Sequence, residues 1–138
     1  MRYLGLDLGT VTLGIAISRT GIFATGYEEF RFEDSNWEQA LNEVIRVVNL
    51  EKIDVIALGL PLNMTGTDSE MTKNSRNFAN MIQKALPSVK LSLVDERWST
   101  KQATRSLLES DLSRNKRKKV IDKMAAQIIL ETLLERGY

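Results

Sequence analysis

The first 32 residues hold three strand-like runs with no helix between them, whereas each later strand is set apart by a stretch of helical periodicity. Arg2 to Asp7 is an apolar run ending on an acid. Leu13 to Ser18 follows the turn Gly9-Thr10, and Ile22 to Phe32 is a third extended stretch with several aromatics. Their close spacing predicts an antiparallel meander. Beyond it the pattern alternates. Ser35 with Glu38 reads as a capping box opening a helix whose apolar stripe is Trp37, Leu41, Val44 and Val48. Asp54 to Gly59 is a strand. Thr67 with Glu70 reads as a second capping box ahead of Met71, Phe78, Ile82 and Leu86, a stripe that Pro87 ends. Val89 to Val94 is the last strand, Ser99 with Gln102 opens a third helix, and a basic stretch leads into a final helix ending near Gly137. Strands joined by helical crossovers lie parallel. The order β-β-β-α-β-α-β-α-α therefore predicts an α/β fold, a mixed five-stranded sheet (three antiparallel strands plus two parallel strands) flanked by helices.

A chain of 138 residues buries roughly two-thirds of the surface its unfolded form exposes, so residues 1–138 read as a single domain. No apolar run approaches the roughly 20 residues that span a bilayer, and the N-terminus lacks a signal-peptide pattern. The expectation is a cytoplasmic protein with no membrane partner. Cysteine and histidine are both absent, which excludes disulfides, thiolate and imidazole metal sites, and nucleophilic catalysis that leans on histidine. Carboxylates must carry any catalysis, helped by a hard cation such as Mg²⁺ or Mn²⁺. The net charge of +1 says nothing about partners, so nucleic-acid binding must come from local clustering.

In open α/β sheets, ligands collect outside the carboxyl ends of parallel strands. The first strand ends on Asp7, the fourth runs into Leu60-Pro61-Leu62-Asn63, and the fifth ends on Asp95-Glu96-Arg97. Two acids thus reach one sheet edge from distant parts of the chain. Acids after strands also serve as turn formers and caps, but the glycines after Asp7 allow the close backbone approach that phosphate handling needs. Adjacent residues point to opposite faces, so either Asp95 or Glu96 is the candidate ligand. Asp122 is the third acid. In the final helix it lies off the polar stripe of Lys123, Gln127, Glu131 and Glu135, on the side of Ala126 and Ile129. The alternative is a surface Asp in a first helical turn, favoured by the dipole. Arg114, Lys116, Arg117, Lys118 and Lys119 form a basic run. Such runs are commonly solvated faces, but positive charge at a helix N-terminus opposes the macrodipole unless an anion is brought there.

Gly5-Leu6-Asp7-Leu8-Gly9-Thr10 with Gly14, Gly59-Leu60-Pro61-Leu62-Asn63-Met64 with Gly66-Thr67, Asp95-Glu96-Arg97 with Ser99-Thr100, and Asp122 with Ala125-Ala126 occur in this order. In this the chain resembles the YqgF family along its full length. The resemblance implies a ribonuclease-H-like fold and a nuclease that matures the 5′ end of the precursor of 16S ribosomal RNA. A second implied activity is that of a Holliday junction resolvase acting on DNA four-way junctions. Asp7, Glu96 and Asp122 fall on the family's proposed catalytic and metal-binding acids, Asn63 and Arg97 on further motif positions assigned here to nucleic acid. One position departs: Thr12 stands where the family usually has Arg, so another basic residue must replace that cation or activity is reduced. Trp98, in place of a more usual Leu, reads as packing rather than base stacking.

The resemblance further implies hydrolysis by two divalent ions roughly 4 Å apart, which would explain phosphodiester cleavage without histidine. Asp7 would bridge both. Two other readings stand beside it. Asp-Leu-Gly-Thr with a downstream Gly also resembles the first phosphate loop of actin- and sugar-kinase-type ATPases, which need two such domains. A catalytically weak RNA-binding ribosome-assembly protein would keep the fold without the chemistry. Precursor ribosomal RNA is the favoured partner, a DNA junction the other, and the chain acts as a monomer or homodimer.

Overall fold

The computed structural model describes residues 1–63, 65–96 and 114–137, the last stretch with side chains from residue 124 onward. Five strands form one sheet: β1 (Tyr3–Leu8), β2 (Thr12–Ser18), β3 (Thr25–Arg31), β4 (Val55–Leu60) and β5 (Lys90–Asp95). The described residues also form helices α1 (Trp37–Glu51), α2 (Glu70–Ala85) and α3 (Arg114–Arg136). The expected helix opening at Ser99 lies outside the described residues.

The strand order is β3-β2-β1-β4-β5. β1 pairs antiparallel with β2 and parallel with β4, β2 pairs antiparallel with β3, and β4 pairs parallel with β5. This is the mixed sheet expected from the spacing of strands and helices. Alternation along the strands sorts the side chains into two layers. Leu4, Leu6, Leu13, Ile15, Ile56 and Leu58 belong to the cluster that α1 and α2 close with Val44, Val47, Phe78 and Ile82. The opposite face carries smaller residues, Ala16, Val55, Ala57 and Val94, against Ala126, Ile129, Leu130 and Leu133 of α3. A Cβ built at Gly5 would lie 2.7 Å from the Ala126 carbonyl oxygen and 2.7 Å from Leu130 Cβ. Glycine there lets α3 lie almost on the backbone of β1.

Both expected helix caps are displaced. Ser35 has φ +58° and donates its N–H to the Thr10 carbonyl, so its backbone turns away from the extended geometry of a cap. Asn36 caps α1 instead, accepting from Gln39 N–H, while the Gln39 side chain accepts from Glu33 N–H. At α2 the cap is Ser69, reciprocally bonded with Thr72. Both hydroxyls also donate to the Pro61 carbonyl, which ties the helix start to the loop after β4. Thr67 instead closes the turn with Asn63. The basic run does not precede the last helix but forms its first turns, since α3 begins at Arg114; Lys and Arg are good helix formers and nothing in the run breaks a helix. Among the described residues no helix is long and apolar enough to cross a membrane.

Candidate active site

Asp7 lies near the carboxyl end of β1, on the face that α3 covers, opposite Gly14 in the antiparallel ladder. Glu96 follows β5 by one residue, and its N–H continues the ladder to the Leu60 carbonyl. It lies two residues beyond Val94, which packs in the α3 layer, so by alternation it faces the same side. Between Asp7 and Glu96 runs β4, and at the level where they meet β4 has Gly59. A Cβ there would stand 2.6 Å from Glu96 Cδ and 2.5 Å from Ile129 Cδ1. The glutamate therefore lies across the bare backbone of Gly59. Glu96 is 8% exposed, and its carboxyl reaches Asp7 and hydrogen-bonds it.

Two carboxyls side by side cannot both ionise without a large electrostatic penalty. Burial, then the Asp7 charge and the hydrogen bond to it, then Asp95, push Glu96 up to about 10. Burial also raises Asp7, with the bond from Glu96 acting in the opposite direction. At neutral pH Glu96 keeps its proton and donates it to Asp7. Of the two adjacent acids after the last strand, the structure brings Glu96 to Asp7 and leaves Asp95 exposed.

The RuvX family model, described as Holliday junction resolvase, matches residues 1–136. The chain belongs to this family. A relative from Staphylococcus saprophyticus is 41% identical over 97% of this chain and 95% of its own length, and one from Geobacillus is 42% identical over 98% of each. Both carry the name "Putative pre-16S rRNA nuclease". The fold is ribonuclease-H-like. A T. thermophilus RuvC in complex with a Holliday junction substrate superimposes with a TM-score of 0.60 at 14% identity, over 99% of this chain and 96% of that one. A second Thermus thermophilus RuvC structure gives 0.57 at 13% identity, over 94% and 92%.

Of the other expected positions, the structure describes Asn63 and the backbone of Asp122 and of the basic run. Asn63 is exposed in the turn after β4 and donates its side-chain amide to Thr67 Oγ1. Asp122 lies in α3 one turn before Ala126, on the helix that covers Asp7's face; its side chain lies outside the described residues, as do Arg97, Trp98 and the side chains of Arg114, Lys116, Arg117, Lys118 and Lys119. Among the described residues no set of three acids is gathered. Thr12 is buried in the turn that Gly9 N–H closes on its carbonyl. Its cross-strand partner is Arg31, with a side chain 58% exposed, so a cation stands beside the position that lacks one. Sequence reasoning missed Gly59. The signal was there: in β4 it shares a face with Val55 and Ala57, and a glycine in a buried strand marks a close approach.

Proposed function

We propose that this chain is a divalent-metal-dependent endonuclease that cleaves a phosphodiester near the 5′ end of precursor 16S ribosomal RNA, acting in the cytoplasm with Asp7, Glu96 and Asp122 as its acids. The observation that supports it best is the Asp7–Glu96 pair: two hard oxygen donors in contact at the carboxyl edge of the parallel strands. The donor set fits Mg²⁺ or Mn²⁺, which take carboxylate oxygens, and no softer ligand competes in a chain without Cys or His. When bound, such a cation activates water and stabilises the leaving oxygen. Asp7 and Glu96 hold it once the proton they share has left, and Asp122, on the helix over the same face, supplies the third acid. The bare backbone of Gly59 leaves room for the Glu96 side chain to reach Asp7. Arg31 and the basic start of α3 offer charge to the phosphates, and Asn63 and Arg97 flank the same edge in sequence.

Ribosomal RNA is the favoured substrate because the relatives carry that name. DNA four-way junctions are the second reading, favoured by the family description and by the fold shared with RuvC, and a junction would engage a homodimer where RNA needs only a monomer. The test offers both substrates side by side with Mg²⁺. Cleavage is expected on the RNA precursor, stopped by chelator, and reduced at least about a thousandfold in Asp7→Asn with an unchanged far-ultraviolet circular dichroism spectrum. Equal turnover by the variant, or cleavage indifferent to chelator, would sink the assignment.

A further inference from the structure

The row of residues through Asp7 extends in both directions across the sheet. On one side Glu96 reaches Asp7 over Gly59 of β4. On the other, Asp7 is paired with Gly14 of β2, and Gly14 with Glu29 of β3. Asp7 is thus flanked by two glycines, each with a glutamate beyond it. The face of Glu29 follows from its neighbours. Glu28 ion-pairs with Arg46 of α1 and Phe30 packs in the α1–α2 layer, so Glu29 between them lies on the α3 face with Asp7. Its side chain is only 6% exposed, and among the described residues neither of its buried carboxyl oxygens accepts a hydrogen bond. Its ionic neighbour is Arg31, 3.5 Å away and 58% exposed. A buried carboxylate without hydrogen bonds is costly and calls for compensation that this wet arginine supplies poorly.

Glu29 and Asp7 sit two strands apart, about 10 Å between backbones, a lateral span of the kind that Glu96 already bridges from the other side. Position 14 brings no side chain between them. Mg²⁺ keeps several of its waters when carboxylates bind it, and carboxylates in the outer shell of a site hold first-shell ligands by hydrogen bonds. We propose that Glu29 is a further acid of the cation site, an outer ligand that accepts hydrogen bonds from waters of a divalent ion held at Asp7 and Glu96. The proposal rests on the reading of that pair as a cation site.

Mn²⁺ titration of the whole chain, followed by the electron paramagnetic resonance of the free ion, separates the two claims. Glu29→Gln is expected to weaken Mn²⁺ binding roughly tenfold, and Glu29→Asp, which keeps the charge but withdraws it, to weaken it as well. Arg31→Gln should leave the affinity unchanged, and Asp7→Asn should abolish binding. Wild-type affinity in either folded Glu29 variant, with binding lost in Asp7→Asn, overturns the role of Glu29 and leaves the pair intact. An equal loss in Arg31→Gln also overturns it, since Glu29 would then act only through its ion pair. Wild-type affinity in Asp7→Asn removes the reading beneath both.

Discussion

A glutamate that keeps its proton to about pH 10 couples folding, pH and cation binding. The folded value lies above the ordinary 4.5, so between about pH 4.5 and 10 the native state holds a proton that the unfolded state has lost. Linkage then requires stability to fall as pH rises through that window. A cation at the pair expels the proton, so its affinity must rise with pH over the same range. In chelator, the melting temperature should therefore decline from pH 6 to pH 9, and the gain on adding Mg²⁺ should be larger at pH 9. Asp7→Asn removes the charge that Glu96 opposes. At pH 8 in chelator it should melt higher than the parent by roughly 3 °C, the equivalent of about 1 kcal/mol at this size, and show no Mg²⁺ response. A melting curve of the parent that is flat in pH, with an Mg²⁺ shift of constant size, contradicts this account. Asp7 was legible in the sequence because strand end and glycine turn coincide there. The choice between Asp95 and Glu96 was not, since it depends on which face α3 covers. Glu29 was hidden for another reason. The β2–β3 register shifts between Ile15 and Ala16, leaving Tyr27 unpaired, and this bulge breaks the alternation from which a face would be read.

At the level of elements, the strand–helix order and the sheet's parallel and antiparallel parts could be read from periodicity, because each layer repeats its own spacing. The caps could not. Asp34-Ser35-Asn36 and Thr65-Gly66-Thr67-Asp68-Ser69 each offer several competent capping residues. Contacts from elsewhere decide among them, the Thr10 carbonyl drawing Ser35 and the Pro61 carbonyl drawing Ser69 and Thr72. α3 is the element on which the site depends most, since it closes the face that holds Asp7, Glu96 and Glu29. Its seating on β1 depends on Gly5. In Gly5→Ala the new methyl meets a backbone oxygen and a side-chain root rather than a flexible tip, so the helix must shift. Overpacking of this kind costs about 1–3 kcal/mol, a fall in melting temperature of roughly 3–10 °C. The displaced helix should also weaken Mg²⁺ binding in protein that is still folded. A variant with the parent's melting temperature and Mg²⁺ response would show that α3 tolerates a side chain at position 5.

For the molecule as a whole, the paired acids lie on the sheet face over which α3 is laid, and the basic run begins that same helix. Ala126 covers Gly5, and Arg114 lies twelve residues earlier in the same helix, about 18 Å along its axis. That length matches roughly five nucleotides of a strand rising about 3.4 Å each, so a backbone entering at the sheet edge can follow the helix past its basic start. The first turn of α3 carries no acid, and its partial positive charge adds to the attraction. Lys118 and Lys119 precede Asp122 by four and three positions, the spacing that shares a helix side, whereas Lys116 is six before it. Each phosphate neutralised contributes about 0.7–0.9 to the slope of log affinity against log salt. Replacing Lys118 and Lys119 together by Gln should lower that slope by about 1.5 and raise KM for the RNA precursor at moderate salt, with kcat at saturation kept, because the acids are untouched. Lys116→Gln should change the slope by less than half of that amount. Equal effects from Lys116 and from the pair would mean that the run acts as diffuse charge rather than as a track, and a kcat lost with KM unchanged would place these lysines in the chemistry instead.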